Sequence, residues 1–264
     1  MSVDPELLRA IVICLTALGA SALTFFSGFG LGTLLMPVFA LFYPIDVAVA
    51  STAVVHFLNS LFKLTLVGQH ADRTAVIKFG LPAIAAALVG AWLLAGLSGA
   101  APLGTWSAVG LTGTILPAKL AVGILLLTLT IFELSPAGTS WRMPPSYLPL
   151  GGVLSGFLGG ISGMQGALRS AFLIRLGLSK EAFIGTGVVV AALVDVSRLS
   201  VYSGTVAQQH AGINYGLLTA AVAAAFLGAW LGNRYLRKVT LDTVQRIVGI
   251  MLIVVGIGLA VGIL

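Results

Sequence analysis

The chain has 264 residues, of which 58% are hydrophobic and only 8% charged, and its mean hydropathy is +1.09. A water-soluble globule of this size cannot hide that much apolar surface, so lipid is its main solvent, and the polar stretches are too short to form a soluble domain. Lys and Arg outnumber Asp and Glu by 14 to 8, but they are scattered over short loops and form no stripe, which argues against a nucleic-acid-binding face.

In chain order, the first apolar run predicts a helix from about Leu7 to Phe26. It is preceded by Asp4, Pro5 and Glu6, with no basic segment or small-residue cleavage site, so it is expected to be retained. The single cysteine, Cys14, lies inside it as a packing or lipid-facing residue and excludes an internal disulfide. The string SGFGLG then breaks the helix, and a shorter run covers Thr33 to Tyr43. Helices follow at Val47 to Leu66, Val76 to Leu97 and Leu116 to Leu134. The second half reads alike: Tyr147 to Ile161, a break at SGMQG, a shorter run from Ala167 to Leu178, then helices near Ala182 to Tyr202, Ile213 to Leu231 and Thr243 to Leu264. Each long run can cross a hydrocarbon core of about 30 Å. A β-barrel would instead show short alternating strands.

At an offset of 135 residues, the distance from Ser27 to Ser162, the halves pair Ser27-Gly28 with Ser162-Gly163, Asp46 with Glu181, Val54-Val55 with Val189-Val190, and Lys63-Leu64 with Arg198-Leu199. A slightly larger offset pairs the two GAWL strings, at Gly90 and Gly228. This order predicts a duplication, with repeat 1 over about residues 7–134 and repeat 2 over about 147–264 of one transmembrane domain. Asp46 and Glu181 also suit first-turn acids facing a helix dipole. Arg73, Lys78, Arg142, Arg175, Lys180, Arg234, Arg237 and Lys238 occupy four loops. All four fall in the cytoplasm if each Gly-broken segment is a hairpin, which puts both termini outside. Each repeat is then a broken hairpin plus three spanning helices. That odd number of crossings inverts the second repeat relative to the first, as in many secondary transporters. The expected fold is thus an all-α integral membrane protein of two inverted repeats, with eight to ten helical segments.

Irregular backbone is tolerated at membrane depth only where protein or water covers it, so both breaks are candidate binding elements. Glycine lets a ligand approach the backbone, and a helix starting after the break offers N–H groups to an anion. Ser27, Gly28, Gly30, Thr33, Ser162, Gly163 and Gln165 belong to this set; the bland alternative is a small-residue packing surface. His56, Asn59, Ser60 and Lys63, spaced i, i+3, i+4 and i+7, share one face of an otherwise apolar helix. Buried charge in a membrane is costly and normally faces a cavity or a partner, though Lys63 is near enough to the helix end to snorkel. The equivalent helix carries Asp195, Arg198 and Tyr202 on one face. Asp195 and Arg198 suit a local ion pair, and a guanidinium also matches an oxyanion in bidentate fashion. Arg169 lies close to the second break. Asp195 and His56 are the candidates to carry a coupling proton. Glu133, Arg73 and His70 sit near helix ends, where solvated interface residues are the default. His70 and His210 fit no metal-ligand spacing, and no phosphate loop, nucleophile elbow or hydrolytic carboxylate pair is found. Neither a catalytic site nor a cofactor is expected.

The string FSGFGLGTLLMP at Phe26 to Pro37, then AVASTAVVHFLNSLFK and the repeated GAWL, resembles the TauE/SafE family of sulfite exporters, also called TSUP permeases. Gly30, Gly32 and Pro37 match the family's Gly-rich motif ending in Pro. The second copy departs from it, with Gln165 and Phe172 at the places of Gly30 and Pro37. The resemblance implies a secondary transporter of sulfite, sulfoacetate or a related organosulfonate in the plasma membrane. A proton or sodium gradient would drive it, and its partners would be the anion and the bilayer, with the oligomeric state left open. A passive anion channel and a transporter of another small ion are the alternatives.

Overall fold

The computed structural model describes residues 4–27, 31–135, 143–208, 214–235 and 242–264. Its helices are α1 (Pro5–Ser27), α2 (Leu31–Ala40), α3 (Ile45–Val67), α4 (Arg73–Ser98, entered through a π turn at Val76–Gly80), α5 (Pro117–Leu134), α6 (Leu148–Ser162), α7 (Gly166–Leu173), α8 (Lys180–Gln208), α9 (Tyr215–Tyr235) and α10 (Asp242–Val261). Six of them, α1, α3, α4, α5, α8 and α9, are long and apolar enough to cross a membrane. The chain is an all-α membrane protein. Of the hairpin arms, α1 has 23 residues, about 34 Å, and suffices to span. The 10 residues of α2 and the 8 of α7 rise only about 15 and 12 Å and cannot.

Small residues set the packing. Gly152, Gly156 and Gly160 lie one turn apart on α6 and meet the Phe79, Ala83 and Ala87 carbonyls of α4, so α4 and α6 run parallel. A Cβ on Gly156 would stand 2.6 Å from Ala83 Cα. Without a hydrophobic force between helices in lipid, such close backbone approach supplies the attraction. The glycines of the two GAWL strings do the same job: Gly90 of α4 abuts the Phe157 carbonyl of α6, and Gly228 of α9 abuts the Leu18 carbonyl of α1.

Two further pairs run antiparallel. Val67 of α3 lies beside Gly185 of α8 while His56 lies beside Asp195, and Gly123 of α5 packs at Gly256 and Ala260 of α10 while Leu134 meets Gly249. Thus α1 packs on α9 as α6 packs on α4, and α3 and α5 each cross their own mates. This is the contact pattern that two halves related by inversion produce.

The stretch between α4 and α5 differs from its expected loop. Gly104–Ala108 and Leu111–Ile115 form a two-stranded antiparallel hairpin, β1 and β2, in register from Gly104 opposite Ile115 to Ala108 opposite Leu111. Its turn needs positive φ at Val109 (53°) and Gly110 (77°). Trp106 Nε1 donates to Val261 O at 2.7 Å and Thr114 N donates to Gly262 O at 3.0 Å, which docks the hairpin on the end of α10.

Candidate functional site

The polar stripe of α3 faces α8 at the centre of the bundle. His56, Asn59, Ser60 and Lys63 are all buried, as are Asp195 and Arg198 opposite them, both at 0% exposure. His56 stands about 16 Å along α3, near its middle. His56 Nδ1 and Asp195 Oδ2 are 2.5 Å apart. A carboxylate only accepts, so Nδ1 carries the proton in this contact. Asp195 Oδ1 accepts from Arg198 Nε at 2.9 Å, and Nη2 lies 2.7 Å from the same oxygen at ion-pair distance but misaligned for a second hydrogen bond. One carboxylate therefore bridges a histidine of the first half and a guanidinium of the second.

The second break lies against this cluster. Gly163 adopts the left-handed conformation, φ 78° and ψ 0°, at the end of α6, where glycine is the low-cost residue. A Cβ there would stand 2.8 Å from Arg198 Nη1. Gly32 of α2 packs on the same turn from the other half, where a Cβ would be 2.9 Å from Gly163 O and 3.7 Å from His56 Cδ2. Both glycines are needed for the arms to meet. Ser162 Oγ donates to Leu158 O, and Ser155 Oγ donates to Gln165 O and ties the break down. Gln165 Oε1 accepts from Arg169 Nη1 at 3.3 Å, which turns the Gln165 amide nitrogen the other way.

Two buried donor nitrogens at this break have neither a hydrogen-bond acceptor nor an ion-pair partner among the described residues, Gln165 Nε2 and Arg198 Nη1, while Arg198 Nη2 has only its ion-pair contact with Asp195. Thr52, one turn before His56, adds a buried hydroxyl in the same condition. A buried, unpaired donor costs about 1 to 3 kcal/mol, more when charged, so such a concentration fits an acceptor-rich ligand. Among the described residues, the buried charged side chains are Lys63, Arg169 and Arg198, together with His56, against the lone acid Asp195. No group of His, Cys, Asp and Glu able to hold a metal occurs among the described residues.

Of the residues singled out from sequence, His56, Asp195, Arg198, Gly163 and Gln165 come together here. Thr33 is buried in α2, and Asn59 Oδ1 accepts from Ser21 Oγ of α1 at 3.1 Å. Lys63 is buried on the same polar face of α3, two turns beyond His56. Arg169 lies against α8 at Gly187, where a Cβ would be 3.4 Å from its Nε. Ser27 ends α1 with its side chain outside the described residues, and Gly28 and Gly30 lie outside them altogether. Sequence reasoning missed Ser21, whose lone hydroxyl in an apolar run carries no signal. It also left Tyr202 without a role; its hydroxyl donates to the Gly160 carbonyl just before the break.

Such a chain is a multi-pass helical membrane protein with a buried, donor-rich centre beside the glycine turn that ends α6. It belongs to the sulfite exporter TauE/SafE family, which it matches over residues 13–259. That is a family of membrane transporters, not of enzymes. Comparison with curated proteins and with solved structures gave no match.

Proposed function

We propose that the protein is a secondary transporter of a small sulfur-containing anion, such as sulfite, sulfoacetate or a related organosulfonate, working by alternating access between two inverted repeats. The single observation that carries this reading is the pair of buried donors without an acceptor at the second break, Arg198 Nη1 and Gln165 Nε2. A guanidinium fork and an amide suit an oxyanion that only accepts hydrogen bonds. Asp195 orients Arg198 and offsets its charge, while Gly163 and Gly32 let backbone and anion approach closely. Arg169, which donates to Gln165 Oε1, adds a second cation beside the break, and Lys63 a third on the polar face of α3.

His56 is the coupling residue. Its protonation adds a positive charge beside the anion, so proton and anion binding reinforce each other by linkage. The protein resides in the plasma membrane with its basic loops in the cytoplasm and both termini outside.

The test is uptake of labelled sulfite and sulfoacetate into proteoliposomes, with and without a pH gradient, for wild type and for Arg198→Ala, Lys63→Ala and His56→Gln. Saturable, gradient-driven uptake that Arg198→Ala abolishes, and that His56→Gln uncouples from the gradient, is expected. Uptake that never saturates points to a passive channel. Uptake unaltered in both Arg198→Ala and Lys63→Ala, with the protein still folded, rules out the site.

A further inference from the structure

The two donors without an acceptor at the second break, Arg198 Nη1 and Gln165 Nε2, belong to different elements. Arg198 is anchored within α8, where Asp195 Oδ1 accepts from its Nε at 2.9 Å. Gln165 is anchored within the α6–α7 arm: Ser155 Oγ donates to its carbonyl at 3.0 Å, and Arg169 Nη1 donates to its Oε1 at 3.3 Å. Neither set of bonds fixes Arg198 Nη1 relative to Gln165 Nε2. One small anion can bridge the two donors only if their spacing is set in advance.

Tyr202 ties one element to the other. It follows Arg198 by one turn on α8, so both side chains lie on one face of that helix. Both reach the end of α6: the Tyr202 hydroxyl donates to the Gly160 carbonyl, and Arg198 Nη1 flanks Gly163, where a Cβ would stand 2.8 Å away. The Gly160 carbonyl draws on a donor outside its own helix because a helix leaves its last four carbonyls unpaired. Gly163 N returns to Gly159 O at 2.9 Å, but the next amide, Met164 N, turns to Ser162 Oγ at 3.4 Å. Gly160 is also fixed against α4, since a Cβ on it would stand 2.3 Å from the Ala87 carbonyl and 2.9 Å from Ala91 N. Tyr202 itself is buried. Its bond therefore holds α8, and with it Arg198, against a point of α6 that cannot shift.

We propose that Tyr202 is a positioning residue for anion binding: by capping α6 from α8 it sets the spacing of Arg198 Nη1 and Gln165 Nε2, and so the affinity of the site for an oxyanion. The proposal rests on the transporter reading given above and adds the residue that assembles its binding site from two elements. The hydroxyl hydrogen of Tyr202 is engaged by Gly160, so Tyr202 acts through the two donors and is not itself a ligand of the anion. Its loss weakens binding and leaves the turnover of the loaded protein in place.

The experiment measures KM and Vmax for labelled sulfite with the full chain in proteoliposomes. Tyr202→Phe removes only the hydroxyl, and 4-aminophenylalanine at the same position keeps a donor there. Tyr202→Phe is expected to raise KM about tenfold with Vmax held within about twofold, and the 4-aminophenylalanine variant to restore most of the affinity. In a Gln165→Ala background, where one of the two donors is already gone, Tyr202→Phe should raise KM by less than about twofold more. A merely structural role lowers Vmax at constant KM and multiplies with Gln165→Ala. An unchanged KM, a fall in Vmax alone, or full multiplication with Gln165→Ala would overturn the proposal. Wild type that takes up no sulfite sinks the substrate reading, and amide hydrogen exchange over residues 161–165, which needs no anion, then decides the role of Tyr202. Exchange at least about fivefold faster in Tyr202→Phe, and reversed by 4-aminophenylalanine, upholds the link between α8 and the break; unaltered exchange ends it.

Discussion

Replacing Asp195 by Asn removes the one negative charge between His56 and Arg198 while keeping the shape and a carbonyl acceptor. Asp195 is fully buried, 2.5 Å from His56 Nδ1 and 2.7 to 2.9 Å from two Arg198 nitrogens. Breaking a buried ion pair from one side typically costs 3 to 5 kcal/mol, because the other charge is left uncompensated. The retained amide oxygen puts the expected loss at the low end, about 3 kcal/mol, or more than a hundredfold in the unfolding constant. Arg198→Gln alone leaves Asp195 with His56 as its remaining partner and also destabilises. The double variant Asp195→Asn/Arg198→Gln buries no uncompensated charge and should recover part of the loss, with a coupling energy of about 2 kcal/mol. Reversible unfolding in mixed detergent micelles, followed by far-ultraviolet circular dichroism, measures all corners of this cycle. Additivity within about 0.5 kcal/mol would refute the idea that this carboxylate is the counter-charge holding the centre together.

Gly163→Ala forces a β-carbon into a left-handed turn, at about 1 to 2 kcal/mol, and pushes on Arg198 Nη1; anion uptake should fall at least about tenfold while the protein remains monodisperse on gel filtration. Gly156→Val would drive α4 and α6 apart at Ala83 and cost about 3 kcal/mol or more in the same unfolding titration. Gly19→Ala and Gly96→Ala, where a Cβ meets nothing within 4 Å, should instead be neutral or stabilise by about 0.5 to 1 kcal/mol. Trp106→Phe loses the bond to the Val261 carbonyl and is expected to cost about 1 kcal/mol, read as a lower thermal midpoint.

The helices were legible in the sequence because their cause is local. A bilayer demands a minimum apolar length, so hydropathy alone places α3 at Val47 to Leu66 against the observed Ile45–Val67, and the helix before the second break at Tyr147 to Ile161 against the observed Leu148–Ser162. The polar face of α3 was legible for the same reason, since 3.6-residue periodicity puts His56 and Lys63 on one side whatever surrounds them. The hairpin was not legible. Its turn has Val109 at positive φ in place of the Asn or Asp that usually announces such a turn, and docking on α10 compensates for the missing signal.

Only the tertiary structure decided what faces what. His56 and Asp195 are 139 residues apart in sequence, and their meeting depends on the antiparallel crossing of α3 and α8, which is set by the close approach of small residues and leaves no trace in hydropathy. The sequence by itself determined that this chain is a bundle of membrane helices, because lipid selects for apolar length and against unsatisfied backbone. The fold alone decided that the second break, one carboxylate and one guanidinium share a single buried centre, because that depends on how helices from different halves cross.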